Sequence, residues 1–177
     1  LSPSAFTLYL GLDAPPEAFG IDASTHFLLG QTDADAVYAR MKVRDIDQRD
    51  GLMMTCYSAI DPCFSPPQTT QLAVITLKFG QAWLQVPPER YAAEKYRVAE
   101  GMLAQTERVF PGLRQHIEEM EIATPITHMR YLGTPHGAIY GFEKHIKDSP
   151  VFLPNRCHLE GLYLAGGWVG ANGFQPT

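Results

Sequence analysis

The sequence predicts an α+β fold, a mixed β-sheet covered by helices, on three observations. Short stretches rich in β-branched and aromatic residues alternate with loops marked by Pro and Gly. One long segment, opened by Pro87-Pro88, carries apolar residues at helical spacing. The composition, 45% hydrophobic and 19% charged over 177 residues, is that of a globular domain long enough to bury a core.

The elements follow in chain order. Ala5 to Leu12 (AFTLYLGL) reads as a strand and runs into an Asp-Ala-Pro-Pro loop. Thr25 to Leu29 is a second short strand. Asp33 to Asp47 opens on an acidic cap and reads as a helix. Leu52 to Ile60 reads as a buried strand, and Asp61 to Thr70, with its three prolines, as a loop. Gln71 to Phe79 (QLAVITLKF) is the strongest strand in the chain. Pro88 then starts a long helix ending near Phe110. Ala92, Tyr96, Ala99, Leu103, Thr106 and Phe110 lie on one predicted face, and Pro111-Gly112 stops it. A short amphipathic helix is expected through Glu119, a strand over Met120 to Ala123, and a Pro-initiated helix over Pro125 to Tyr131. Gly133 to Gly141 (GTPHGAIYG) is a loop. Leu162 to Ala165 is a short strand that feeds GGWVGANGFQPT. Trp83 and Tyr91 flank the Pro87-Pro88 pair and are expected to pack there, with an apolar substrate wall as the alternative.

Charge and cysteine content narrow the function. Lys and Arg total 14 against 19 Asp and Glu, a formal charge of -5, with a pI near 5.6. A nucleic-acid binder carries a basic excess or stripe, so that class is set aside. No apolar run reaches the roughly 18–20 residues of a membrane span. Cys56, Cys63 and Cys157 form no CxxC, and no signal peptide is visible, so a reducing, cytoplasmic setting is expected. The chain opens directly on a strand at Leu1. It stops at Pro176-Thr177, where a helix would start, and this predicts a piece of a larger protein.

Few residues advertise chemistry. The six histidines show neither HExxH nor a close pair at metal spacing. His136 stands apart because it sits in the Gly/Pro loop beside Tyr140. There is no GxSxG elbow and no GxGxxG turn. Cys56 reads as an inert core residue, and Glu118, Glu119 and Glu121 as a solvated acidic face at a helix end. The informative feature is the C-terminal strand running through Gly166, Gly167, Gly170 and Gly173 toward a helix start. Such a turn lets backbone N–H groups approach an anionic or flat ligand.

Three blocks, SAFTLYLGLD near the start, Arg108 to Glu143, and GLYLAGGWVGANGFQPT at the end, resemble the phytoene desaturase, carotenoid isomerase and retinol saturase family of flavoproteins. They occur in the order and spacing of the family's C-terminal part. The resemblance implies a two-domain, amine-oxidase-like FAD enzyme acting on C=C or CH–CH bonds of a carotenoid, retinoid or related isoprenoid. Residues 1–150 would be of substrate-domain type. Residues 151–177 would be the chain returning to the FAD domain, whose GxGxxG part is absent here. By position, Gly166, Gly167, Trp168, Gly170, Gly173 and Phe174 would contact FAD. His136, Gly137, Tyr140 and Gly141 would lie beside flavin or substrate. The implied partners are an apolar isoprenoid, the missing N-terminal FAD domain and, through the face left exposed, a second copy of the chain. The resemblance also implies contact with a membrane periphery. With the flavin carrying the chemistry, an apolar tunnel needs no acid–base dyad.

Two other readings stay open on the residues. One is a stand-alone module binding an apolar ligand or a protein, without redox activity. The other is a flavoprotein acting on amines, which fits the TPHGAIYG loop less well.

Overall fold

The structure is a computed structural model and describes residues 1–143 and 154–169. Five strands form one sheet: β1 (Ser4–Leu12), β2 (Thr25–Leu28), β3 (Leu52–Thr55), β4 (Thr70–Lys78) and β5 (Ile117–Ala123). Their order across the sheet is β2-β3-β4-β1-β5. Four helices accompany them: α1 (Ala34–Met41), α2 (Gln81–Leu84), α3 (Pro88–Val109) and α4 (Pro125–Leu132). The α+β class therefore holds.

The mixed sheet does not. Every pairing among these strands is antiparallel. The reason lies in the connections. Helix α3 joins β4 to β5, which run parallel, but β1 inserts between them and pairs antiparallel with both. Parallel neighbours need a helical crossover between adjacent strands, and the α3 connection between the parallel β4 and β5 skips one.

Side-chain alternation divides the sheet into two faces. Phe6, Leu8, Leu10 and Leu12 on β1 share one face with Leu72 and Val74 on β4, Met54 on β3 and Ile122 on β5. All are buried, together with Val98, Ala99, Met102 and Leu103 of α3. Each large apolar side chain so placed contributes about 1.5–3 kcal/mol. The α3 stripe is rotated from the predicted one: Ala92 and Tyr96 are exposed, and Val98 and Met102 take the inward positions. Trp83 anchors the α2–α3 corner, stacked near Phe6 (5.3 Å between ring centroids) and edge-on to Tyr91 (6.1 Å). Cys56 is fully buried, as expected.

The other face is partly open. Ala5 and Thr7 are buried on it, whereas Tyr9 and Phe27 are exposed.

Several boundaries moved. Helix α1, capped by the Asp33 carboxylate accepting from Ala36 N at 2.8 Å, ends at Met41 and not at Asp47. Its continuation is drawn off by Lys78, whose ammonium donates to the carbonyls of Arg40 and Asp45 and to Asp50. The strand expected to reach Ile60 stops at Thr55, and a 3-10 turn takes Tyr57–Ala59. The helix expected through Glu119 is one 3-10 turn, Leu113–His116, and β5 starts earlier, at Ile117. Pairing with β1 outweighs local propensity there. The strand expected at Leu162 to Ala165 is a single bridge, Arg156 to Tyr163. Helix α4 follows its sequence signals: Thr124 and Thr127 form a capping box, and Gly133 at φ 67° ends the helix.

Candidate functional site

Two regions gather the candidates. The first is the segment after α4. Gly137 has φ 68°, and a Cβ there would lie 2.3 Å from the Pro125 carbonyl oxygen, so only glycine lets this turn close onto α4. His136 has φ 56°, a conformation uncommon outside glycine. Its carbonyl presses on Gly80, where a Cβ would sit 2.0 Å from the oxygen. The chain is then tied to the start of β1: Ile139 N donates to Pro3 O, Tyr140 N to Ser2 Oγ, and Ser2 N to Gly141 O.

This segment meets the Gly166–Val169 turn. Phe142 and Trp168 pack edge to face, 4.9 Å between centroids. The space beside Gly141 is filled by Gly167 O and the Trp168 ring, so Gly141 is a contact between the two loops. The structure thus brings Gly141, Gly167 and Trp168 together, with Tyr140 adjacent. Gly166, at φ 124°, has no atom of the described residues within 4 Å of the place a Cβ would take. Gly170, Gly173 and Phe174 lie outside the described residues.

His136 lines a cleft of about 520 Å³ with Tyr38, Lys42, Gln81 and Glu143. Tyr38 donates its hydroxyl proton to Glu143 Oε1. That bond, then burial and the carboxylate's charge, push the phenol above its ordinary value. The Lys42 ammonium lies 4.1 Å from the Tyr38 ring centroid. Neither Tyr38 nor Lys42 carries a sequence signal; they arrive from α1 only through the fold.

The second region is a cavity of about 450 Å³ on the open sheet face. Its floor is a row across four strands: Thr55, Ala73, Tyr9 and Glu121 occupy successive registered positions on β3, β4, β1 and β5. Tyr57 and Phe64, 5.0 Å apart, wall the β3 side, and Glu119 stands beside Glu121 on the β5 side. The volume lies within the roughly 300–1,000 Å³ usual for small-molecule sites, and most of the lining is apolar. The alternation of Tyr9 with Gly11 and of Gln71 with Ala73 is present in the sequence, but only the register shows that these pairs adjoin.

Among the described residues no group of His, Cys, Asp and Glu could hold a metal ion. Nor is any of their helices long and apolar enough to cross a membrane.

No family model matches the chain. It is 24% identical over 168 residues to the chloroplastic prolycopene isomerase of Arabidopsis thaliana, covering 93% of this chain and 26% of that protein. It is 20% identical over 180 residues to the all-trans-retinol 13,14-reductase of Danio rerio, covering 92% of this chain and 30% of the relative. The resemblance to carotenoid isomerases and retinol reductases holds. The chain spans less than a third of the length of these relatives. An oxidoreductase structure from Methanosarcina mazei aligns over 97% of this chain and 31% of its own, with a TM-score of 0.47 and 15% identity.

Proposed function

We propose that this chain is the substrate-binding part of an FAD-dependent oxidoreductase that acts on C=C or CH–CH bonds of a carotenoid, retinoid or related isoprenoid. The observation that carries the reading is the apolar cavity on the sheet face, in a chain similar to an isomerase of prolycopene and a reductase of retinol. A polyene offers almost no polar handle, and a floor of Ala73 and Tyr9 walled by Tyr57 and Phe64 suits it.

The cofactor reading is tested by the glycines. Among the described residues nothing crowds Gly166, where a flat group could approach the backbone, whereas Gly137 and Gly141 have packing reasons of their own. Gly166, Gly167 and Trp168 would therefore hold the flavin edge. When bound, FAD supplies hydride or electron exchange with the polyene. The residues of this chain bind the apolar chain, orient it and exclude water. Leu159, Leu162, Tyr163 and Leu164, all exposed, supply apolar surface for a cofactor domain to cover.

The test uses the native polypeptide that contains this chain. After purification it should release flavin on denaturation, and it should change the double-bond number or geometry of a supplied polyene. A flavin-free protein that leaves the polyene unchanged refutes the proposal. The 177-residue chain alone should bind FAD weakly or not at all; stoichiometric retention through gel filtration would count against that division of labour.

A further inference from the structure

The cavity has two unlike ends. The row Thr55, Ala73, Tyr9 and Glu121 crosses three strand spacings, about 14 Å at the usual 4.8 Å separation. At the β3 end stand the Tyr57 and Phe64 rings. At the β5 end stand the Glu119 and Glu121 carboxylates, on the same face because they are two residues apart on one strand. Glu119 pairs with Gly11, which has no side chain, and a Cβ there would come within 3.6 Å of the Glu119 Cβ. Gly11 thus sets no side chain beside Glu119. Neither carboxylate is ion-paired among the described residues, although ten such contacts occur elsewhere in them.

We propose that Glu119 and Glu121 are specificity-determining residues that read the terminus of the bound isoprenoid. They accept a hydrogen bond from a hydroxyl terminus and reject an anionic one. This rests on the reading of the cavity as the isoprenoid site. The rings take the apolar end of the ligand, and its other end reaches β5. A hydroxyl there donates to a carboxylate in a charge-assisted bond. A carboxylate or diphosphate terminus meets two like charges, and such juxtaposition suppresses the wrong ligand. The residues that read as a solvated acidic face in the sequence thus become the polar end of an apolar groove.

The test measures binding of all-trans-retinol, of retinoic acid and of a carotene to the native polypeptide that contains this chain, followed by their fluorescence or absorbance, at low and high salt. The wild-type chain should prefer retinol by about tenfold, near 1.4 kcal/mol. The Glu119→Gln/Glu121→Gln double variant should reduce that preference to about twofold or less, chiefly by admitting retinoic acid. High salt should narrow the wild-type preference, because exposed charges are screened. The Ala73→Asp variant, with a charge in mid-floor, should lose both ligands. Equal binding of the two retinoids by wild type, or a preference that survives in the double variant, overturns the role of the carboxylates and leaves the cavity reading intact. Binding of a carotene but of neither retinoid overturns the role of the carboxylates alone, and failure of wild type to bind a carotene or either retinoid overturns both.

Discussion

Replacing Asp50 with Asn tests whether a buried charge cluster holds the segment between α1 and β3. Lys78 and Asp50 are 1% and 4% exposed. The Lys78 ammonium donates to Asp50 Oδ1 at 2.8 Å and to the carbonyls of Arg40 and Asp45 at 3.0 Å, so its three protons are all used. The second Asp50 oxygen accepts from Arg40 Nη2 at 2.6 Å and from Asp47 N at 2.8 Å. An Asn at 50 removes the charge and turns an amide donor toward donors on one side or the other. Lys78 is then left without a carboxylate partner, and Arg40 keeps only Asp47, 3.4 Å away. Removing one partner of a buried pair costs about 3–5 kcal/mol. Lys78→Met is the milder change. It strips two carbonyls of a donor, but Asp50 keeps Arg40, and the loss should be about 1–3 kcal/mol. With a urea slope near 2 kcal/mol/M, the midpoints should fall by roughly 1.5–2.5 M and 0.5–1.5 M respectively. Amide exchange over residues 42–51 should quicken in both variants. If Lys78→Met destabilises as much as Asp50→Asn, or if both stay within about 1 kcal/mol of wild type, the reasoning fails.

Other outcomes follow from single contacts. His128 is held below its ordinary value of 6.5 by burial, and its Nε2 has no hydrogen-bond partner among the described residues. The unfolded chain therefore takes up the proton first, and stability falls as pH drops below 6.5 toward the folded value. Thermal melts between pH 7 and pH 5 should show this slope, and His128→Gln should flatten it; an unchanged slope counts against the assignment. Gly137→Ala should loosen the 135–143 segment by several kcal/mol, since its Cβ would meet the Pro125 and Ser4 oxygens. His136→Gly, at φ 56°, should instead be neutral or stabilising by up to about 1 kcal/mol. Denaturant melts that rank these two variants the other way would contradict the backbone argument.

The sequence by itself determined the α+β class, β1, β4, α3 and α4, the burial of Cys56 and the Trp83–Tyr91 corner. Each rests on local information: β-branched runs, Pro at a helix start, a capping threonine, a glycine at a helix end. It also carried the resemblance, because the Arg108–Glu143 and Gly161–Thr177 blocks are contiguous. Tertiary structure decided the rest. The antiparallel sheet follows from β1 inserting between β4 and β5, a long-range choice that no window of sequence records. Helix α1 stops at Met41 where β4 intervenes: the Arg40 carbonyl accepts from Lys78, 38 residues beyond it, and the Met41 carbonyl from Phe79 N. The cavity exists only once register sets Thr55, Ala73, Tyr9 and Glu121 side by side. Gly141 and Trp168 were legible as members of two loops, but their packing together was not. Periodicity fixes which way a side chain points along its own element; which neighbour it meets is set by pairing and packing between distant segments.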